Sequence, residues 1–456
     1  MNYRINFLIV LTTIILTACN KKLEVPPQNT LTPDQIKSAD DVKAVLSGVY
    51  FTFQNANGLG EKYNTFGELL INDGDIDWAG TFESYGDLHK NSQITTSPEV
   101  YQVWANTYHT INTANIVLSK LDVLTGNEKT EIEGEAKFLR AVAYYYLVNL
   151  YALPYSAGNV SANPGVPLIL TPVSGYDPAR DKLPRASVEA VYTQIVSDLT
   201  DAAAKIPEET PNFRATKYSA FAFLSRVYLS QAKYAEAATA ANEVIESGAF
   251  ALTGTYAGAF NNNSNSSEDI FAIQQSSQSN SGTSNFGITT FYSADPIGRG
   301  EIQITPAHIA KYEAGDSRKA FFYDGSSISG RDGKMTGKWE ELYKAIPVIR
   351  LAEMYLTRAE ANFRKGGTPI GPNTPLEDVN IIRNRAGLGD LLTIANADVI
   401  VKERYLELAF EGERFYTVKR LKLTTSGLPY DDSKMILPIP QREIDLGNAL
   451  PQNAGY

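Results

Sequence analysis

The chain has 456 residues, of which 43% are hydrophobic and 20% are charged, so it is long enough to bury a large core. Its formal net charge is −10 at pH 7, which gives no basic field that would attract nucleic-acid phosphates. These values exclude a mainly disordered chain and argue against a nucleic-acid partner.

The first eighteen residues have the pattern of a signal peptide. Arg4 precedes an apolar run over residues 5–16, which is about 12 residues long against the ~20 needed for a membrane-spanning helix. Small residues then precede Cys19, the only cysteine in the chain, as in the lipobox of bacterial lipoproteins. We therefore expect residues 1–18 to be removed and Cys19 to be lipidated.

Lipidation at Cys19 would hold the protein on a membrane without a spanning helix, because each buried CH₂ group of an acyl chain contributes ~0.8 kcal/mol. Asn20 follows the cysteine, where aspartate is the commonest inner-membrane retention signal, so the sequence favours the outer membrane, with the protein facing outward. Residues 19–37 are polar and rich in proline and asparagine, which predicts a tether. We expect residues 38–456 to form a single body.

Most of this body shows the spacing of amphipathic helices, and no run of alternating βαβ units is present. The predicted helices span residues 40–55, 98–122, 128–151, 187–206, 215–231, 233–247, 345–365, 376–386 and 398–422. Two of them form the clearest pair, 215–231 and 233–247, joined by a short turn at Gln231–Lys233. Small and aromatic residues on their facing stripes resemble a tetratricopeptide hairpin.

Two stretches interrupt the helical pattern, at about residues 56–97 and 248–344. The first is rich in glycine, aspartate and aromatic residues, and the second contains polar low-complexity tracts. Insertions of this length in a compact protein are usually ordered functional loops or small subdomains. We therefore look for ligand-binding residues there.

Motifs spread along nearly the whole chain resemble those of the SusD/RagB family of Bacteroidetes lipoproteins. They are residues 19–26 (CNKKLEVP), 133–141 (EGEAKFLRA), 144–151 (YYYLVNLY), Pro154, 165–168 (GVPL), 350–356 (RLAEMYL), 358–361 (RAEA), Asn380, 383–388 (RNRAGL), 403–404 (ER), 407–414 (ELAFEGER), 419–420 (KR), 437–440 (LPIP) and 452–456 (QNAGY). Each motif is weak alone, but their number and order make the resemblance specific. Ala454 departs from the proline that many members carry.

The resemblance implies an all-α-dominated body of tetratricopeptide-like hairpins with large irregular insertions. It also implies a partner, a SusC-type TonB-dependent outer-membrane barrel, to which such lipoproteins deliver glycans or, in some members, peptides. It implies no cofactor and no enzymatic activity.

The sequence offers few candidates for catalysis. Glu403, Glu407 and Glu411 recur every four residues, which could suggest a glycosidase pair, but the arginines in the same motifs favour buried structural ion pairs. The three histidines lack paired metal-ligand spacing. We therefore predict a binding protein without catalytic or metal-binding residues.

Asp73, Asp75 and Asp77 alternate like the start of a calcium loop. Trp78 and Ser84, however, replace the glycine and the glutamate that an EF-hand requires. We expect no calcium site from this pattern.

Trp78 is the strongest ligand-binding candidate. It lies in the first insertion near Phe82 and Tyr85, and an aromatic platform beside polar groups suits sugar recognition. Asn72, Asp73 and Asp75 precede it and could select hydroxyl geometry. The alternative is that Trp78 is a core residue under a loop.

The second insertion offers weaker ligand-binding candidates, which are Phe286, Phe291, Tyr292 and Arg299. Three further aromatic residues, Trp104, Tyr108 and Trp339, are interpreted as packing residues.

The preferred hypothesis is a surface glycan-binding lipoprotein that works with a barrel transporter. Capture of peptides in the same transport system is the first alternative. A tetratricopeptide-type scaffold that binds only protein is the second, and a surface hydrolase is the least supported.

Overall fold

The computed structural model describes residues 33–175, 177, 182–211, 213–447 and 450–456. The chain divides into a short N-terminal unit, residues 1–37, with a 3₁₀ helix at Pro33–Gln35, and a compact unit, Ser38–Tyr456. The predicted signal peptide, Cys19 and most of the tether lie outside the described residues. Among the described helices, none combines the length and the apolar character needed to cross a bilayer.

The compact unit is mainly helical, as predicted, with 49% of residues in helices and 7% in strands. Its α-helices are α1 (Ala39–Gln54), α2 (Lys62–Ile71), α3 (Glu83–His89), α4 (Pro98–Ser119), α5 (Gly126–Tyr151), α6 (Val188–Lys205), α7 (Lys217–Ser230), α8 (Tyr234–Ile245), α9 (Ile288–Tyr292), α10 (Pro306–Ile309), α11 (Leu351–Lys365), α12 (Pro375–Arg385), α13 (Ala397–Glu407), α14 (Glu413–Arg420) and α15 (Gln441–Asp445). Short 3₁₀ helices span Leu121–Val123, Tyr256–Ala259, Ser317–Phe321, Gly337–Trp339 and Ser433–Met435.

The strands are β1 (Ile76–Trp78), β2 (Asp269–Ile273), β3 (Ile302–Ile304), β4 (Phe322–Ser326), β5 (Asp332–Thr336) and β6 (Ile346–Arg350). They form a four-stranded antiparallel sheet in the order β1-β3-β5-β4 and a separate antiparallel pair, β2-β6.

Neighbouring helices pack as successive hairpins: α4 on α5, α5 on α6, α6 on α7 and α7 on α8, with α8 continuing onto α11. The predicted α7–α8 hairpin is confirmed. Thr216 and Ser219 form a capping box at its start, and Ala232 takes a positive φ of 56° in the turn. Small buried residues such as Ala237 and Ala238 let the two helices approach closely.

Two predicted helices differ from the structure. The segment 345–365 begins with strand β6, which pairs with β2. Its helix, α11, starts only at Leu351. The segment 398–422 is broken between α13 and α14, because Phe410 and Gly412 adopt positive φ values of 64° and 78°. Apolar spacing cannot distinguish these interruptions from a continuous helix, since the buried face continues through both.

The two predicted insertions are more ordered than their composition indicates. The first contains helices α2 and α3, and α2 is buried on almost all sides, including its polar residues Lys62, Thr65 and Glu68. The second contributes strands β3, β4 and β5. Strand β1 of the first insertion pairs with β3 of the second, with Ile76 opposite Ile304 and Trp78 opposite Ile302. This pairing joins the insertions and places Trp78.

Candidate functional site

Four rings from the two insertions form a contiguous group, which we call the aromatic cluster: Trp78, Phe82, Tyr85 and Phe291. Trp78 stacks on Tyr85 with 5.4 Å between ring centroids and 15° between planes, and Tyr85 stacks on Phe291 at 4.7 Å and 21°. Phe82 meets Phe291 edge to face at 6.0 Å. Residues that are more than 200 positions apart thus share one surface.

Only part of the aromatic cluster reaches solvent. Trp78 and Phe82 are half-buried, whereas Tyr85 is 2% exposed and Phe291 is fully buried. Tyr292 is also fully buried, but it packs elsewhere, near the ring of Phe410. In this conformation Tyr85, Phe291 and Tyr292 cannot touch a ligand, contrary to the contact expected from the sequence. Tyr85 and Phe291 instead support the two half-buried rings from below.

The position of Trp78 depends on two glycines. A Cβ added at Gly80 would lie 2.4 Å from the Cζ2 atom of Trp78, and one added at Gly86 would lie 3.3 Å from its Cδ1 atom. The indole therefore occupies space that only a residue without a side chain leaves open. Trp78 is thus partly packed and partly exposed. It lies between the two alternatives that the sequence left open, an exposed aromatic platform and a core residue under a loop.

Arg299 lies beside the half-buried rings. Its guanidinium carbon is 4.8 Å from the centroid of Phe82, and the group donates to Glu301 at 2.7 Å, Thr81 at 3.2 Å and Asn285 at 3.2 Å. Thr81 and Asn285 are exposed. Hydrogen-bonding groups therefore adjoin the aromatic surface.

A second arginine lies near Trp78. Arg331 forms an ion pair with Asp77 and donates to the backbone oxygen of Trp78 at 3.4 Å. Both charged side chains are about half exposed, at 49% and 44%. We call Asp77, Thr81, Asn285, Arg299 and Arg331 the polar rim.

Sequence reasoning proposed Arg299 for ligand contact but missed the other members of the polar rim. Asp77 lies on β1, and Thr81, Asn285 and Arg331 lie in connecting segments without periodic spacing. Only the β1–β3 pairing and the neighbouring loops bring them together. No local signal in the sequence could have grouped them.

The acidic loop before Trp78 is tied into the protein. Asp73 pairs with Arg414 at 2.8 Å, Asp75 pairs with Lys311 and lies 3.2 Å from Nδ1 of His308, and the side chain of Asn72 donates to the backbone oxygen of His89. The expected role of Asn72, Asp73 and Asp75 in selecting sugar hydroxyls therefore competes with contacts inside the protein.

The electrostatics of these carboxylates fit a structural clamp. Burial opposes ionisation of Asp75, but hydrogen bonding to His308 and Lys311 outweighs it and lowers the pKa of Asp75 to about 2. Burial and the nearby charge of Asp75 raise the pKa of Asp73 despite its partner Arg414. Within the described ranges, no group of three or more histidine, cysteine or acidic side chains is arranged to hold a metal ion.

The glutamates that could have suggested a glycosidase are buried and paired with arginines. Glu403 lies 2.6 Å from Arg318, and Glu407 and Glu411 lie 2.6 Å and 2.8 Å from Arg350. All three carboxylates are therefore paired with arginines inside the protein, as expected for scaffold residues. Trp339 is also buried and donates from its indole nitrogen to the backbone of Phe410.

A groove of about 380 Å³ lies beside Trp104 and Tyr108, the other aromatic pair named from the sequence. Trp104 is buried, but Tyr108 is half-buried and donates to the backbone oxygen of Pro167 at 2.9 Å. Asn112 is hydrogen bonded to the backbone of Val173 through both amide atoms. The hydroxyl of Tyr108 and the amide of Asn112 are therefore engaged within the protein.

Comparison with known families gives two matches. A model described as "Starch-binding associating with outer membrane" matches residues 23–229, and the SusD family model matches residues 328–431. Together they cover about two thirds of the chain. Trp78 and Phe82 lie within the first matched range, whereas Phe291 and Arg299 lie between the two.

Individual relatives extend the similarity over the whole chain. A SusD-like protein of Formosa agariphila is 27% identical over 100% of this chain and 99% of its own length. The starch-binding protein SusD of Bacteroides thetaiotaomicron is 24% identical, with 83% of each chain covered.

Solved structures share the fold. A SusD superfamily protein of Bacteroides thetaiotaomicron superposes with a TM-score of 0.81 at 24% identity, covering 91% of this chain and 99% of that one. Surface glycan-binding protein A of Bacteroides fluxus gives a TM-score of 0.77 at 21% identity, with 91% and 99% covered. By its helical body, its motifs and these similarities, the chain belongs to the SusD/RagB family.

Proposed function

We propose that this protein is an outer-membrane lipoprotein that captures an oligosaccharide and delivers it to a SusC-type TonB-dependent transporter. The ligand would bind across the half-buried faces of Trp78 and Phe82 and would be oriented by the polar rim. The observation that carries the proposal is the aromatic cluster with its polar rim, because the first insertion presents two half-buried rings beside hydrogen-bonding groups that the second insertion supplies.

The chemistry of this surface suits a sugar. A pyranose ring offers one apolar C–H face, and covering it with an indole removes ~60–100 Å² of apolar surface from water, worth ~1.5–2.5 kcal/mol. Donors such as Arg299 and Thr81 would orient the hydroxyl groups. Each hydrogen bond replaces one made to water, so it adds specificity more than affinity.

Family membership supports the setting in which the protein would act. The matched model is described as associating with the outer membrane, and relatives carry the names starch-binding protein and surface glycan-binding protein. Lipidation at Cys19, an outward orientation and the partnership with a barrel transporter are parts of our proposal. Binding rather than catalysis is supported by the pairing of Glu403, Glu407 and Glu411 with arginines.

The test is calorimetric titration of wild type and Trp78→Ala with a panel of oligosaccharides that starts with maltoheptaose. We expect the variant to bind about 10- to 70-fold more weakly, since ~1.4 kcal/mol corresponds to tenfold in affinity. Because Trp78 also stacks on Tyr85, the melting temperature should fall as well, so affinities are compared well below the melting transition.

The matched control is Phe51→Ala, which removes a ring that is 59% exposed on α1, outside both the aromatic cluster and the polar rim. It should leave oligosaccharide affinity unchanged. Equal affinities of wild type and Trp78→Ala would remove Trp78 from the site. Binding of peptides, but of no oligosaccharide, would replace the glycan by the peptide alternative.

A further inference from the structure

One buried carboxylate connects the two insertions beneath the aromatic cluster. Glu61 has no exposed surface and precedes α2 in the first insertion. Its Oε1 atom accepts a hydrogen bond from the hydroxyl of Tyr85, and its Oε2 atom accepts one from the backbone N–H of Gly287 at 2.7 Å. A single side chain thus bonds to both insertions.

Each bond acts on a different part of the site. Tyr85 is the ring on which Trp78 stacks. Gly287 starts α9, which carries Phe291, and lies two residues after Asn285, the acceptor for Arg299. Glu61 therefore holds both Tyr85, which supports the half-buried indole of Trp78, and the segment that carries Asn285 of the polar rim.

The backbone next to Glu61 adds a further contact between the two insertions, and we call this region of contact around Glu61 the junction. The carbonyl of Gly60 accepts a hydrogen bond from Ile288 at 2.9 Å. A Cβ added at Gly60 would lie 2.2 Å from the backbone oxygen of Gln54 and 2.5 Å from Cβ of Ser281. The second insertion is packed so tightly here that the junction tolerates no side chain at residue 60.

We propose that Glu61 is a positioning residue, which fixes the first insertion to the second and thereby sets the geometry between Trp78 and Arg299. The role of this geometry in ligand binding rests on the proposed function. The positioning itself is a property of the unliganded protein and can be measured without a ligand.

The charged and titratable groups around Glu61 determine how the junction responds to pH. Lys62 on α2 favours its ionised form, Glu99 on α4 opposes it, and Tyr85 on α3 donates to it. Glu301, before β3, acts on Tyr85. Burial outweighs the favourable contacts and raises the pKa of Glu61 to about 7.

The sign of the pH dependence follows from this direction. The closed junction binds the proton of Glu61 more tightly than an opened one, in which the pKa returns to its usual 4.5. The free energy that favours the closed junction is therefore largest below pH 4.5. It decreases as the pH rises from 4.5 to about 7 and is constant above that range.

The test is hydrogen exchange measured by mass spectrometry on the unliganded protein. In Glu61→Ala both bonds are lost, and we expect amides in residues 83–89 and 281–300 to exchange faster by at least about tenfold. Glu61→Gln keeps a side-chain oxygen that can accept from the N–H of Gly287, and its NH₂ group can donate to the hydroxyl oxygen of Tyr85. This variant should therefore keep the protection of the wild type. It should also abolish the change in protection between pH 4.5 and 7, after correction for intrinsic exchange rates.

The matched control is Glu68→Ala on the same helix. Glu68 is also a buried carboxylate, but it accepts from the backbone of Gly412 and contacts neither Tyr85 nor Gly287. Its loss should increase exchange near residues 408–415 and leave residues 281–287 unchanged, whereas α9 is left out of this comparison because Glu68 faces Tyr292. If Glu61→Ala fails to fold, Tyr85→Phe, which removes one of the two bonds, should still increase exchange in residues 83–89.

Two results would overturn the proposal. One is unchanged exchange in residues 281–300 of Glu61→Ala, and the other is an equal increase over the whole body, which would indicate a general loss of stability. Titration with maltoheptaose separates this inference from the proposed function. A wild type that binds no glycan contradicts the function, while the exchange result still decides the role of Glu61.

Discussion

Arg350 is fully buried at the centre of a network of charges that is almost entirely buried. Its guanidinium bonds to Glu268 at 2.8 Å, to Glu407 at 2.6 Å and to Glu411 at 2.8 Å, and Arg385 also bonds to Glu268 at 2.9 Å. Desolvation of such charges opposes their attraction, so the network adds little net stability. Removing one member, however, leaves a charge that is buried without compensation.

Glu407→Gln should therefore destabilise the protein. Burial alone would raise the pKa of Glu407, but the adjacent Arg385, Arg350 and Arg318 hold it well below its usual range. We expect the free energy of unfolding to fall by about 3–5 kcal/mol, measured by urea denaturation at pH 7.

The control for this change is Glu208→Gln, which removes an exposed partner of Lys217 and should change stability little. The stabilising effect of Glu407 is present above its ordinary pKa and is lost as the pH falls toward the lowered value. An unchanged urea midpoint would show that the network tolerates a neutral residue at its centre.

Glu68→Gln should have the opposite effect at neutral pH. Burial raises the pKa of Glu68 from 4.5 to about 8. Between these values the folded protein keeps the carboxyl of Glu68 protonated, whereas the unfolded chain releases the proton. At pH 7 this costs roughly 3–3.5 kcal/mol, since pH 7 lies 2.5 units above the ordinary pKa of 4.5 and each unit is worth ~1.4 kcal/mol. Glutamine still accepts the bond from Gly412 and should recover most of that free energy.

Urea denaturation of wild type and Glu68→Gln at pH 4.5 and pH 7 checks this sign. The gain should be present at pH 7 and nearly absent at pH 4.5, where Glu68 is protonated in the folded protein and half protonated in the unfolded chain. A destabilised variant at pH 7 would show that ionised Glu68 has a stabilising partner.

At the scale of elements, the break between α13 and α14 decides where several of these charges lie. Gly412 takes a φ of 78° at the start of α14, and its N–H donates to Glu68 at 2.8 Å. Glu411 lies in the turn rather than on a continuous helix, which lets it reach both Lys338 and Arg350. A straight helix could not direct its side chain in the same way.

Gly412→Ala should destabilise the body beyond the cost of its backbone conformation. A left-handed conformation costs a residue with a Cβ roughly 1–2 kcal/mol. The new Cβ would also lie 3.2 Å from Cα of Asn64 on α2. Gly427→Ala is the matched control, since Gly427 has the same φ of 78° with no atom within 4 Å of an added Cβ.

The two glycine variants are compared by thermal and urea denaturation. We expect the loss in Gly412→Ala to exceed that in Gly427→Ala. Equal losses would indicate that α2 moves away from the added methyl group at no cost.

At the scale of the whole molecule, the compact unit Ser38–Tyr456 is separate from residues 1–37. The packed hairpins and both sheets lie within this unit. Its stability should therefore not depend on membrane attachment.

Cys19→Ala should abolish lipid attachment and leave folding intact. We expect loss of palmitate labelling in cells and release from the detergent phase, with a melting temperature equal to that of a wild type body purified without its lipid. The Asn20→Ala variant is the control and should still be labelled. Unchanged labelling of Cys19→Ala would rule out lipidation at this residue.

Much of the fold follows from the sequence alone. The buried stripes and small residues of α7 and α8 predict their hairpin, because side-chain spacing along a helix is a local property of the chain. The motifs of the helical body likewise indicate the family, and the composition of residues 56–97 and 248–344 marks both insertions. Trp78, Phe82 and Arg299 could be named as candidates because aromatic residues beside hydrogen-bonding groups in such loops suit sugar recognition.

The tertiary structure decided which of these candidates meet. Pairing of β1 with β3 joins positions that are far apart in sequence, and no local periodicity encodes such a contact. The same pairing and the bonds of Glu61 hold Tyr85 and Phe291 buried beneath Trp78. The ion pair with Lys311 keeps Asp75 inside the protein. Burial and hydrogen-bond partners are properties of the assembled molecule, since each depends on atoms that distant segments supply.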